Sequence, residues 1–225
     1  MDWQAFILSL ELAALTALFL IPMGILMAYW LQYQSNMTNQ FFQAVFTLPL
    51  VLPPTVLGYY LLVGLGRGSW LGNYFYEMTQ ISLVFSFAGI FVASLLFNIP
   101  FAWLPILRAF ESIPQDLKDA SQTCGLNSWQ GLWKIELPLA WKGILTAFIM
   151  TFTHTLGEFG VVLMVGGNIP QQTRTISIAI YDQMQTLHMD EAGSMALILL
   201  LVSFLTLLLT QFFLHRPNHL LRQVT

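Results

Sequence analysis

Charge is scarce in this chain. Asp, Glu, Lys and Arg make up 8 % of its 225 residues, against roughly 25 % in a typical soluble domain, while hydrophobic residues reach 56 %. That balance excludes a water-soluble domain and predicts an all-α integral membrane protein. Cysteine is nearly absent too: Cys124 stands alone, which rules out an internal disulfide framework or a multi-thiolate metal site. His154, His188, His215 and His219 are scattered, without metal-ligand spacing. No nucleophile elbow, paired carboxylates or ATP-binding signature appears, so the chain carries no enzymatic constellation. Gly64, Gly66 and Gly68 lack the Lys and the following Ser or Thr of a phosphate-binding loop. Internal repeats are missing, which argues against the pseudo-symmetric halves of many secondary transporters.

What is present is a series of long apolar runs. The N-terminal run is far longer than a signal-peptide core and has no basic residue before it, so it reads as a retained transmembrane helix. Five spans are expected, over about 12–31, 42–65, 81–107, 142–164 and 194–214. Glu11 and Asp2 place residues 1–11 outside the first span, as an amphipathic approach segment. Pro49, Pro53 and Pro54 remove backbone donors from the second span. A straight helix is not expected there, and a broken span belongs inside a bundle or beside a cavity. The third span carries Pro100 and Pro105, with Asn98 beside them. Residues 64–80 read as a glycine- and aromatic-rich interfacial turn.

The one long polar interruption, residues 108–142, carries four of the eight Lys and Arg residues and must lie in water. Ser112 and Pro114 signal a helix start. Leu117, Ala120, Ser121 and Cys124 then recur at helical spacing before Gly125 supplies a left-handed stop. Asn127 or Ser128 can cap a second short helix with Trp129, Leu132 and Trp133 on one face, ended by Leu137 and Pro138. Two amphipathic helices meeting at a glycine corner need an apolar surface to lie on, whether this chain's own bundle, the headgroups or another protein.

The fourth span is the least apolar. Thr151, His154, Thr155 and Glu158 fall at i, i+3, i+4 and i+7 and predict a polar stripe on one helix, facing protein or water. Glu158 would then accept hydrogen bonds from threonine hydroxyls, from amides near Gly157 and Gly160, or from a partner subunit. A gate element and plain polar glue are the competing readings. The polar segment 165–193 follows, with a short helix expected over 175–185. Within it, Arg174 between Thr173 and Thr175 suits an oxyanion or an acidic patch on a binding protein, or else anchors the segment at the interface.

Two stretches resemble a known family. Asp119-Ala120-Ser121, three residues, Gly125, nine residues, Ile135, one residue, Leu137-Pro138 resembles the EAA loop of ABC-importer permeases, with Asp for Glu and Ser for Ala. Residues 154–181, HTLGEFGVVLMVGGNIPQQTRTISIAIY, are similar to the corresponding stretch of molybdate ABC-transporter permeases, as is LPLVLPPTVLGYYLLV of the second span. His154-Thr155 stands where the family often has Arg-Ser. The resemblance implies a type I importer fold whose residues 108–141 form a cytoplasmic coupling loop, with Thr151, His154, Thr155, Glu158, Pro53 and Pro54 as pathway or gate candidates. It implies as partners a second copy of the chain, separate ABC ATPase subunits that carry ATP and magnesium, and a periplasmic or lipid-anchored molybdate-binding protein. No cofactor on this chain and no nucleic acid is implied. Tungstate or sulfate is the neighbouring substrate reading. A proton-linked transporter using His154 and Glu158 is the alternative of a different class.

Five spans put the two ends on opposite sides. Arg108, Lys118, Lys134, Lys142, Arg216 and Arg222 then share one side, and Arg67 and Arg174 the other. The positive-inside rule places the loop and the C-terminal tail in the cytoplasm of a bacterial inner-membrane protein and the N-terminus outside.

Overall fold

A computed structural model describes residues 1–34 and 36–214; the basic tail, with Arg216 and Arg222, lies outside them. Among the described residues every regular element is helical, as lipid demands of a backbone that must satisfy its own hydrogen bonds. Four helices are long and apolar enough to cross a bilayer, and a fifth candidate is a pair bent by 108° at a short break. The number matches the expectation; several boundaries do not.

Helix α1 runs Trp3–Leu31, capped by Asp2, whose carboxylate accepts from the Ala5 amide at 3.0 Å. Residues 3–11 are therefore no separate approach segment. Ala5, Leu8 and Ser9 continue the buried face of Leu12, Ala13 and Thr16, and Glu11 is exposed on the same helix. The proline-rich span is broken as expected: α2, Asn36–Val51, and α3, Pro54–Leu65, meet at residues 52 and 53. Pro54 opens α3, where its missing N–H costs nothing. The predicted turn at 64–80 holds a ten-residue helix, α4 (Trp70–Thr79), because the Ser69 hydroxyl accepts from the Gly72 amide at its N-terminus.

Helix α5, Phe87–Glu111, begins later than residue 81 and ends beyond 107. Its start is set by Ser86, whose hydroxyl accepts from the Gly89 amide at 3.2 Å. The loop carries α6 (Gln115–Thr123) and α7 (Ser128–Gly131); a π-helical turn, Leu132–Glu136, then leads directly into α8, Leu137–Gly157. Pro138 thus does not stop the second short helix. It sits in the first turn of α8, and the wider π turn before it absorbs the missing donor. The remaining helices are α9 (Gly160–Gly166), α10 (Ile176–Gln185) and α11 (Met189–Leu214).

The core lies where α1, α5 and α8 pack together, around the fully buried Trp103, Ile106, Leu107 and Phe110 of α5 with Leu20 and Leu31 of α1. Close approach is built in at Gly143, where a Cβ would stand 2.4 Å from that of Ala109. Helix α11 leaves Leu200, Phe204 and Leu208 bare, the surface of a helix that meets lipid or another subunit. Arg174 lies 4.0 Å from the Asp2 carboxylate and the Met1 amine 3.8 Å from Glu191, so the N-terminus and the 165–193 segment share one end of the bundle. The 108–142 loop occupies the other, against the end of α1.

Candidate pathway and coupling site

The fourth span is not one helix. Helix α8 ends at Gly157, Glu158 is extended (φ −68°, ψ 134°), and α9 begins at Gly160. Glu158 therefore leaves the stripe formed by Thr151, His154 and Thr155. Flanking glycines permit the break, and its carboxylate turns to α5, where Oε2 accepts from Asn98 Nδ2 at 3.3 Å and Ser94 Oγ at 3.5 Å. These are the donors, rather than the threonines expected: Thr155 Oγ1 donates to the Thr151 carbonyl of its own helix at 2.8 Å. The Asn98 amide nitrogen also donates to the Ser94 carbonyl at 2.9 Å, which leaves Oδ1 to face His154 Nδ1 at 2.9 Å. The hydrogen-bond network thus puts the imidazole proton on Nδ1. His154 stacks on Phe101 with centroids 3.8 Å apart. Glu158 Oε1 has no hydrogen-bond partner among the described residues.

Beside this cluster opens a cavity of about 590 Å³, bordered by Pro54, Thr55, Phe97, Thr153, His154 and Glu158, a size typical of small-ligand sites. The two broken spans meet here. A Cβ on Gly160 would come within 2.8 Å of the Pro54 Cβ, and one on Gly58 within 2.8 Å of the Met164 Cβ, so glycine lets α3 and α9 cross closely. Of the pathway candidates, Pro54, His154 and Glu158 border the cavity. Pro53, the N-cap of α3, does not line it, and neither do Thr151 and Thr155, which are buried. Ser94, Asn98, Thr55 and Thr153 were missed. The first two had a signal, a polar pair at i and i+4 in an apolar span.

At the end of the bundle that carries the N-terminus, the hydroxyls beside Arg174 do not face outward: Thr173 is 0 % and Thr175 1 % exposed. Thr173 Oγ1 donates to the Gly166 carbonyl at 2.7 Å and accepts from the Ile169 amide at 3.2 Å. Arg174 Nε donates to Asn168 Oδ1 at 2.6 Å, and its terminal nitrogens lie 3.7 Å from Asp182 and 4.0 Å from Asp2. The threonine-flanked arginine is therefore not an outward anion cradle in this conformation. It ties α1, α10 and the intervening loop together.

The corner of the 108–142 loop forms around Gly125, at φ +78°, with a capping box between Asn127 and Gln130. Asp119, Ala120 and Cys124 are exposed, as are Leu117 (44 %), Trp129 (57 %) and Trp133 (66 %). Ser121 is 9 % exposed, its hydroxyl donating to the Lys118 carbonyl at 2.6 Å. Ile135 and Leu137 are half-buried, and Leu137 packs on the core. The loop thus has an apolar outer face, and an inner face turned to the bundle. On the inner side, partial burial and the Glu136 carboxylate both push the Tyr33 phenol up, so it stays protonated and donates to Glu136 at 3.4 Å.

Residues 20–216 match the family described as binding-protein-dependent transport system inner membrane component. The chain belongs to that family. It is 41 % identical to the molybdenum transport system permease protein ModB of Azotobacter vinelandii, over 92 % of this chain and 91 % of that one. The ModB of Escherichia coli K12 is 37 % identical over 82 % of this chain and 81 % of its own length. Among solved structures, a bacterial ABC transporter involved in the import of the acidic polysaccharide alginate superposes with a TM-score of 0.74 at 20 % identity, covering 99 % of this chain and 79 % of that one. The fold is that of the ABC importer permeases, and this family member is a multi-pass membrane protein.

Proposed function

We propose that this chain is the membrane-spanning subunit of an ABC importer that takes molybdate into the bacterial cytoplasm. Two copies would enclose the pathway, an external binding protein would deliver the anion, and separate ATPase subunits carrying ATP and magnesium would dock on the 108–141 loop. The observation that carries the reading is the corner of the polar loop: Leu117, Trp129 and Trp133 stand 44 %, 57 % and 66 % exposed there, an apolar surface large enough to seat a partner. The names borne by the two relatives point to molybdate rather than another oxyanion. Arg108, Lys118, Lys134 and Lys142 lie on the loop side, against Arg67 and Arg174 on the other, which favours a cytoplasmic loop and an external N-terminus.

In this reading ATP binding draws the ATPases together, the corner moves with them, and the helices beside the cavity open it outward; hydrolysis resets it. Glu158 does not hold the substrate, since a carboxylate in contact with a dianion adds repulsion to desolvation. It positions the α8–α9 break through Ser94 and Asn98. Reconstitution with the ATPase and binding protein, followed by uptake competition among molybdate, tungstate and sulfate, tests the proposal. Molybdate should compete at the lowest concentration; preference for sulfate overturns the substrate, and uptake without ATP overturns the class. Gly125→Val strains the left-handed corner and should abolish transport together with ATPase docking.

A further inference from the structure

The inner face of the corner carries a chain of polar contacts that docking alone does not require. Gln32, just past the end of α1, accepts from Lys118 Nζ through Oε1 at 2.7 Å and donates through Nε2 to Glu136 Oε2 at 2.9 Å. The amide is held one way round, its oxygen on a cation from α6 and its nitrogen on a carboxylate from the π turn. Glu136 is 4 % exposed and also accepts from Tyr33. Lys118 reaches the Phe110 carbonyl near the end of α5 at 3.3 Å. One turn back on α1, Tyr29 donates to the Ser128 carbonyl at 3.0 Å and stacks on Trp129 with centroids 6.3 Å apart. Both halves of the corner are thus fastened to α1, one through Gln32 and the other through Tyr29.

We infer that Gln32 is the positioning residue through which a displacement of the corner is passed to α1, and from there to the α1–α5–α8 core. The inference rests on the reading of the loop as the ATPase-docking element. Its physical ground is the cost of letting go. A carboxylate as buried as Glu136 cannot part from its donors without being left unsatisfied, so when α6 and the π turn move, Gln32 and α1 follow. Helix α1 packs tightly enough to transmit the movement: a Cβ on Gly24 would lie 3.3 Å from Ile106 of α5 and 3.4 Å from the Ala102 carbonyl. The outer face decides what docks; the inner face decides what the docking moves.

The test uses the full complex of permease, ATPase and binding protein in proteoliposomes. Gln32→Glu sets two carboxylates against each other, whereas the double variant Gln32→Glu with Glu136→Gln restores every donor and acceptor, with Lys118 now on a carboxylate and residue 136 donating back. Gln32→Glu should lower uptake, and the ATPase stimulation produced by loaded binding protein, by about tenfold, the loss that follows from about 1.4 kcal/mol of coupling. Cross-linking from Cys124 to the ATPase should persist, and the double variant should recover to within about twofold of the parent. Normal stimulation in Gln32→Glu, no recovery in the double variant, or a fall in thermal stability alone overturns the relay and leaves docking intact. Failure of Cys124 to cross-link in the parent complex overturns the docking reading and the relay with it. If Gln32→Glu does not accumulate in the membrane, Gln32→Met removes both hydrogen bonds without adding charge. The same uncoupling is expected of it, and normal uptake overturns the inference.

Discussion

Glu158 and Arg174 belong to two polar clusters built on opposite principles. Around Arg174 the charge is answered by charge: Asp2 and Asp182 lie within 4.0 Å and Asn168 accepts from Nε, at an edge reached by water. Around Glu158 the donors are neutral, a serine and an asparagine on α5, and one carboxylate oxygen is unpartnered among the described residues. The first is a clamp whose parts are individually weak, since exposed or half-exposed ion pairs contribute about 0–1 kcal/mol. The second is a high-stakes network, where each lost hydrogen bond exposes the full desolvation cost of a buried group. The difference suits their places. One fastens the segment between α9 and α10, and the other sits beside a cavity where two broken spans cross.

The sharpest way to break this contrast is Asn98→Leu, which removes the better donor to Glu158 and the acceptor facing His154. Stability should fall by about 3 kcal/mol, read as thermal unfolding of the detergent-solubilised protein. Parental stability would mean that Glu158 finds its partners elsewhere and that the two clusters are not opposites.

Thr173→Val comes next. It orphans the Gly166 carbonyl and the Ile169 amide inside the loop between α9 and α10, and about 1–2 kcal/mol should be lost in the same measurement, with expression retained. Arg174→Gln should cost about 1 kcal/mol or less and leave binding-protein-dependent uptake within about twofold. A large loss of uptake at unchanged stability would turn the clamp back into a contact for the delivered anion or its carrier.

The smallest effect on stability is expected of Glu158→Gln, under about 1 kcal/mol, because the amide oxygen still accepts from Asn98 and the side chain keeps its size. Its interest lies in function. ATPase stimulation by loaded binding protein should change although the dimer assembles normally; unchanged stimulation and uptake would reduce the cluster to glue between helices, with an average contribution of about 0.6 kcal/mol.

The corner at Gly125 was legible because its signals are local: a left-handed glycine, an Asn127 cap, and apolar residues at helical spacing. The family likeness seen in residues 119–138 and 154–181 is borne out over residues 20–216. The break at Glu158 was misread for an equally physical reason. Periodicity records which residues would share a face if the helix continued, and Thr151, His154, Thr155 and Glu158 satisfy it whether or not the helix continues. Only the donors waiting on α5 show why the chain leaves the helix there. Thr173 and Thr175 were misjudged similarly, since a polar residue in a polar segment is taken to face water until its burial is seen.

Composition and the run of apolar residues were enough to place this chain in a membrane, to make its elements helices and to mark four to five of them as long enough to cross. Those conclusions follow from transfer energies and backbone hydrogen bonding, which act residue by residue along the chain. Only the tertiary structure decided which polar groups meet. Asn98 reaches Glu158 across 60 residues, and Gln32 stands between Lys118 and Glu136, 86 and 104 residues away. Neutral amides leave no electrostatic trace in a sequence, and even where spacing marks one, as at Asn98, its partner is set by what packing brings within hydrogen-bond reach.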